Sequence, residues 1–301
     1  PYLFDTPYSF SNDAYYFTRA RESWDEKRIG DIFSFGRRFG DVWGVNLAFR
    51  FEQVSINSAQ DTNGNGVADA NYFLYDPAAG VVNGPFNDSG QEILDQRGSH
   101  FLTSIKPSFS RDTTDSLVFP TRGTRTSIAI EKYGAMGGDL TFTKITGRFD
   151  WYVPLYEDLF ERRTVFHLGT ELGIIPVGES AFYERFYAGG IGSLRGFKFR
   201  GVSPRTGPLN DPIGGDFSWT TTAEVNYPLY ENVLRGVVFT DFGTVERNID
   251  IGTIRSDVGV GLRITIPFFG SIPLALDFAV PTTKASGDRT QIVSCSLGAS
   301  F

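Results

Sequence analysis

Thiols and imidazoles are scarce in this sequence. The 301 residues hold one cysteine, Cys295, which rules out an internal disulfide framework, and no zinc-ligand spacing is present. The two histidines, His100 and His167, lie far apart without an evident ligand partner. No Ser/His/Asp arrangement and no metal-hydrolase motif occurs, so no catalytic residue is assigned. No apolar run approaches the ~18–20 residues that a membrane-spanning helix needs, and mean hydropathy is only -0.17. A net charge of -7 argues against a general nucleic-acid binder. The first residues, Pro1-Tyr2-Leu3-Phe4, carry neither the charged nor the apolar region of a signal peptide. The chain is therefore expected to be the interior or C-terminal part of a longer gene product.

What the sequence has in abundance is aromatic residues, 15% with Phe 28 and Tyr 13, and glycine, 34 in all. Its organising pattern is period two, which marks strands with two unlike faces. Val45, Leu47, Phe49 and Phe51 share one face against Asn46, Arg50 and Glu52. Ile145, Phe149, Trp151 and Val153 alternate with Lys144, Thr146, Arg148, Asp150 and Tyr152. Val293, Cys295, Leu297, Ala299 and Phe301 oppose Ser294, Ser296, Gly298 and Ser300.

A soluble sandwich alternates too. Here the segments are about ten residues long and the connections alternate between short and long, which fits tilted transmembrane barrel strands of ~9–11 residues. Lipid would take the apolar face, and a wet lumen the charged one. The fold class expected is all-β, an antiparallel transmembrane β-barrel occupying residues 1–301 as a single domain. About twelve strands are expected, roughly at 8–21, 26–38, 43–55, 99–110, 124–133, 139–153, 163–176, 216–228, 234–246, 255–267, 272–281 and 290–301. Two connections, about 56–98 and 177–215, are too long for ordinary turns and are placed outside the membrane. The short turns carry Trp151, Tyr152, Tyr156, Tyr227, Tyr230, Phe268 and Phe269, as an interfacial aromatic girdle would. Pro154 and Pro228 stand where a proline would stop the ladder without breaking a central strand.

The second long connection contains Gly189-Gly190-Ile191-Gly192-Ser193-Leu194-Arg195-Gly196-Phe197. This resembles the Arg-Gly-Phe/Tyr signature in an outer loop of the BamA family of outer-membrane assembly proteins, whose relatives include organellar counterparts and two-partner secretion transporters. Phe119-Pro120-Thr121-Arg122-Gly123, Phe239-Thr240-Asp241-Phe242-Gly243 and the terminal Phe301 resemble three further motifs of that family, in the family's order. The resemblance covers essentially the whole chain. It implies a barrel of about sixteen strands with the signature loop folded into the lumen. Five strands follow the loop here, as the family pattern requires, and about seven precede it. The first four strands and the periplasmic POTRA domains are thus expected to lie outside this sequence.

The resemblance also implies roles. Arg195, within Leu194, Arg195, Gly196 and Phe197, is expected to pair with inner-wall acids, matched here by Glu224 and by Asp241 of the Phe239–Gly243 motif. Parity independently places Glu224 with Thr222 and Asn226 on the polar face. A guanidinium satisfies carboxylates through a rigid donor fork that lysine cannot reproduce. Leu297, Gly298 and Phe301 are expected to form the C-terminal assembly signal on a seam strand. Separately, Asp61, Asn63, Asn65 and Asp69 fit the alternate-oxygen spacing of calcium loops, although Tyr72 replaces the twelfth-position Glu. The same stretch also fits an ordinary Asn/Gly/Asp turn.

Function remains open between two classes. The leading one is an assembly factor in a bacterial outer membrane that folds and inserts unfolded outer-membrane protein clients through a lateral seam, in contact with outer-membrane lipid and aided by periplasmic or lipoprotein accessory subunits. The alternative is a polypeptide-secreting pore of the same superfamily. Neither needs a cofactor beyond the calcium just considered, and neither involves nucleic acid.

Overall fold

The computed structural model describes residues 6–21, 23–57, 59, 61, 66–67, 72–76, 81–86, 88–160, 162–230, 233–265 and 273–297. In chain order the strands are β1 (Tyr8–Ala20), β2 (Asp25–Phe39), β3 (Trp43–Asn57), β4 (Tyr72–Asp76), β5 (Val81–Phe86), β6 (Gly98–Asp112), β7 (Gly123–Tyr133), β8 (Phe142–Glu157), β9 (Arg163–Gly178), β10 (Arg205–Thr206), β11 (Asp211–Pro212), β12 (Phe217–Tyr230), β13 (Leu234–Glu246), β14 (Arg255–Thr265), β15 (Pro273–Thr283) and β16 (Val293–Leu297). One short helix, α1 (Gln91–Leu94), precedes β6.

Among the described residues, twelve of these strands form one antiparallel meander in the order β1-β2-β3-β6-β7-β8-β9-β12-β13-β14-β15-β16. Seven strands precede the signature loop and five follow it. β4 with β5, and β10 with β11, are small hairpins inside the two long connections. β1 and β16 are the edges of the sheet in this order. Each strand of the sheet pairs with the next sheet strand along the chain, and short turns join such pairs at one end. The two long connections lie together at the other, the loop end.

Period two translates directly into two faces. On β13, Val238 is 63% exposed while Asp241 is fully buried, and on β14 Val260 is 55% exposed while Asp257 is fully buried. The outer face is thus apolar and open, and the inner face carries the ionisable groups. β8 and β9 have 16 residues each, longer than the ~9–11 that cross a bilayer.

Two expectations need correction. Pro154 and Pro228 do not stop their strands. β8 runs on to Glu157 and β12 to Tyr230, with register shifts between Pro154 and Tyr156 and between Pro228 and Tyr230. The missing N–H removes one ladder bond, and a bulge absorbs it. Tyr152 does not belong to an aromatic girdle. Trp151, Tyr156, Tyr227 and Tyr230 are exposed, but Tyr152 is buried, because alternation sends it inward once Trp151 faces out. Phe268 and Phe269 lie outside the described residues.

The largest apolar core sits at the loop end. Trp24, Val54, Ile56, Leu102, Tyr133, Phe142 and Ile175, all at or next to strand ends, pack with Ile93 of α1 and with Phe182, Tyr183 and Ile213 of the second long connection. Trp24 meets Phe182 edge-on with centroids 5.2 Å apart. A smaller cluster, Ala188, Leu194, Phe197, Val202 and Val245, packs the signature loop against β13.

Candidate functional site

Register assembles the wall of the site. Along one inward-facing row, Asp257 lies opposite Asp241, Asp241 opposite Thr222, Thr222 opposite Gly169 and Gly169 opposite Asp150. The adjacent row runs Gly259, Phe239, Glu224, His167, Tyr152. Four strands, β14, β13, β12 and β8, therefore contribute acids to one patch of the inner surface, and β9 contributes His167. No isolated segment of sequence contains that patch.

The signature loop supplies the cation. Its local shape comes from Gly190, whose φ is 91° and whose N–H donates to the carbonyls of Leu194 (3.0 Å) and Phe197 (2.9 Å). A side chain is disfavoured at such a positive φ. The closed turn buries Leu194 and Phe197 and directs Arg195 into the acids. Arg195 Nε and Nη2 donate to the two Asp241 oxygens at 2.9 and 2.8 Å, and Nη1 donates to Glu224 Oε2 at 3.0 Å. The Arg195 backbone N–H also donates to Asp241 (3.1 Å). The guanidinium lies 3.3 Å from the centroid of the Phe239 ring, a cation–π platform. Burial alone would lower the Arg195 pKa, but the Asp241 and Glu224 carboxylates outweigh it and push it upward, so the side chain stays charged.

Gly196 has a steric reason of its own. Its N–H donates to Asp257 Oδ2 at 2.9 Å, and a Cβ there would stand 2.8 Å from the Asp257 Cβ. Beyond it, Gln291 N–H donates to the Gly196 carbonyl (3.0 Å) and Lys198 N–H to the Arg289 carbonyl (2.9 Å). The loop is thereby stitched to the segment that leads into β16.

The structure brings together Leu194, Arg195, Gly196, Phe197, Glu224, Phe239 and Asp241. Gly243 lies one row further along β13, where a Cβ would come within 2.7 Å of the Trp219 carbonyl, so it sets close packing of β13 on β12 rather than touching Arg195. Leu297 ends the described part of β16 and is exposed, as is Cys295. Gly298 and Phe301 lie outside the described residues. So do Asn63, Asn65 and Asp69. Asp61 is described: it accepts the Gly66 N–H (3.0 Å) and pairs with Arg97 (3.0 Å). Among the described residues no cluster of three or more His, Cys, Asp or Glu could hold a metal ion.

Sequence reasoning missed the continuation of the network. His167 Nε2 lies 3.1 Å from Asp150 Oδ1 and Nδ1 lies 3.6 Å from Glu224 Oε1. The imidazole stacks on Tyr152 with centroids 4.5 Å apart. Arg148 pairs with Asp150 on the far side (2.9 Å). The available signal was parity: His167 alternates with Phe166 and Leu168, which puts it on the inner face. Asp257, opposite Asp241, had the same signal.

A family model described as the Omp85 superfamily domain matches residues 1–301. The outer membrane protein assembly factor BamA of Nitratidesulfovibrio vulgaris is 28% identical over 312 residues, covering 100% of this chain and 35% of that protein. A SAM50-like protein of Drosophila melanogaster is 28% identical over 208 residues, covering 65% of this chain and 45% of that one. The chain thus spans less than half the length of these curated relatives. In fold, it resembles the crystal structure of BamA from Haemophilus ducreyi lacking POTRA domains 1-3, with a TM-score of 0.73 at 20% identity over 96% of this chain and 59% of that one.

Proposed function

The chain belongs to the Omp85 superfamily, and on that footing we propose that it is barrel sheet of an assembly factor that folds and inserts client β-barrel proteins in a bacterial outer membrane. The curated relatives carry the names of assembly factors and assembly-machinery components rather than of enzymes. The observation that carries the proposal is the loop folded back onto the inner wall, with Arg195 fixed between Asp241 and Glu224. A loop held there fills space that an open pore would need and fixes wall strands β12 and β13.

The working edge is β16. It pairs with β15 on one side, and its other side would face the seam that the family resemblance implies. Where that seam opens, the freed N–H and C=O groups, costly to leave unpaired in lipid, would accept a client strand by β-augmentation. The free energy for insertion comes from the client's own folding, so no nucleotide is required. Periplasmic or lipoprotein accessory subunits would deliver the unfolded chain.

The test uses the full-length gene product in liposomes. Folding of an unfolded outer-membrane barrel is timed by its heat-modifiable gel shift, with and without the protein. Clear acceleration, lost in Arg195→Ala, is the expected result. No acceleration, together with a steady open conductance in the same vesicles, would replace the proposal with a polypeptide-secreting pore.

A further inference from the structure

The signature connection carries a second charged residue that meets the opposite part of the sheet. Glu184 ends the 3-10 turn Phe182–Glu184 and is buried. Arg28 of β2 donates to its Oε1 at 2.7 Å and Tyr133 of β7 to its Oε2 at 2.6 Å, while Arg50 of β3 lies 3.6 Å from Oε2. The backbone is held as well: Arg28 Nη2 donates to the Tyr183 carbonyl at 3.1 Å and Lys144 Nζ of β8 to the Glu184 carbonyl at 2.7 Å. The wall cations are braced in turn, Arg28 by Glu52 (2.9 Å) and Arg50 by Glu131 (2.7 Å). Burial alone would raise the Glu184 pKa, but Arg50, Arg28 and Lys144 outweigh it and hold it at about 2.

The two ends of the segment 184–195 therefore have inverted chemistry. At one end a loop acid sits among wall cations on β2, β3 and β8. At the other a loop cation sits among wall acids on β12 and β13. We infer that Glu184 is a second positioning residue, and that the segment from Glu184 to Arg195 is a strut across the inner face, braced at both ends by charges in opposite order.

Two consequences follow from the chemistry. Reversed docking would set Glu184 against Asp241 and Glu224, and like charges so placed disfavour the wrong arrangement. In addition, a loop held only at Arg195 could pivot, whereas one held at both ends ties β2 and β3 to β12 and β13. Removing one partner of a buried pair leaves the others uncompensated, so a loss at one end should be felt at the other. The strut is a property of the loop. Its bearing on client insertion rests on the assembly function proposed above.

Amide hydrogen exchange on the full-length protein separates these points. Glu184→Gln keeps the volume and removes the charge. Tyr133→Phe removes the hydroxyl that donates to Glu184 and accepts from Arg50 and keeps the ring stacked on Phe142, whose centroid is 4.0 Å away. In Glu184→Gln the amide of Gly196, bound to Asp257 at the far end, is expected to exchange about tenfold faster, with a smaller rise in Tyr133→Phe and slower client insertion. Faster exchange confined to residues 181–187, with 194–197 unchanged, would overturn the strut. Faster exchange at Gly196 with client insertion untouched would overturn the positioning role. A wild-type protein that inserts no client would sink the assembly function alone, while the exchange at Gly196 would still decide for or against the strut.

Discussion

Arg195 uses three of its side-chain nitrogens on two carboxylates, and that geometry decides how substitutions should rank. Arg195→Lys retains a charge but loses the fork, so it should weaken the fold by about 1.5–3 kcal/mol, the range for hydrogen bonds to charged groups. Arg195→Ala leaves Asp241, Glu224 and Asp257 facing one another and should cost about 3–5 kcal/mol. The temperature at which the folded band shifts on a gel ranks the three proteins, and equal temperatures for lysine and arginine would show that charge alone matters. The motif and strand parity made Arg195 and its acids legible. His167 was legible only as an inward-facing residue, because its pairing with Asp150 and Glu224 depends on the register of three strands at once. His167→Phe preserves a ring on Tyr152 and removes the imidazole between two acids. It should lower the same transition temperature, and an unchanged value would make the imidazole dispensable.

At the scale of the strand, period two carried nearly all of the information. The twelve sheet strands fall close to the expected segments because alternation and turn residues are local signals. The bulges after Pro154 and Pro228 were not legible, since whether a proline ends a strand or bends it depends on the neighbouring ladder. Nor was the fold of the 179–216 connection, which is held by contacts to strands far away in sequence. Glycines on the strands record close approach. A Cβ on Gly259 would stand 2.3 Å from the Phe239 Cζ and 2.4 Å from the Phe278 carbonyl. Phe239 is also the platform under Arg195, so Gly259→Val should displace the ring, cost about 1–3 kcal/mol by overpacking and speed exchange at the signature loop. The denaturant midpoint reads the first effect and amide exchange the second. A shift in midpoint without faster exchange would separate the strand from the loop.

Across the whole molecule, the loop end and the turn end differ in kind. The turn end has short connections, whereas the loop end buries Trp24, Ile93, Phe182, Tyr183 and Ile213 against the ends of β3, β6, β7, β8 and β9. Polar contacts reinforce this roof: Glu92 of α1 accepts from Arg185 at 2.5 Å and from Arg247 at 2.7 Å, joining three connections. A barrel whose interior already holds a pinned loop and whose loop end is roofed by an apolar core should conduct ions poorly, whatever its diameter. The full-length protein in a planar bilayer is therefore expected to stay closed with only brief openings. Ile93→Asp places an unpaired charge in the core, which disfavours burial of α1, and should lengthen the openings several-fold while leaving the Arg195 contacts in place. If the wild-type protein conducts steadily, the roof is not the barrier and a secretion pore becomes the better account. If Ile93→Asp conducts no more than the wild type, the barrier must be the strut itself, and Glu184→Gln rather than the α1 variant should then open the channel.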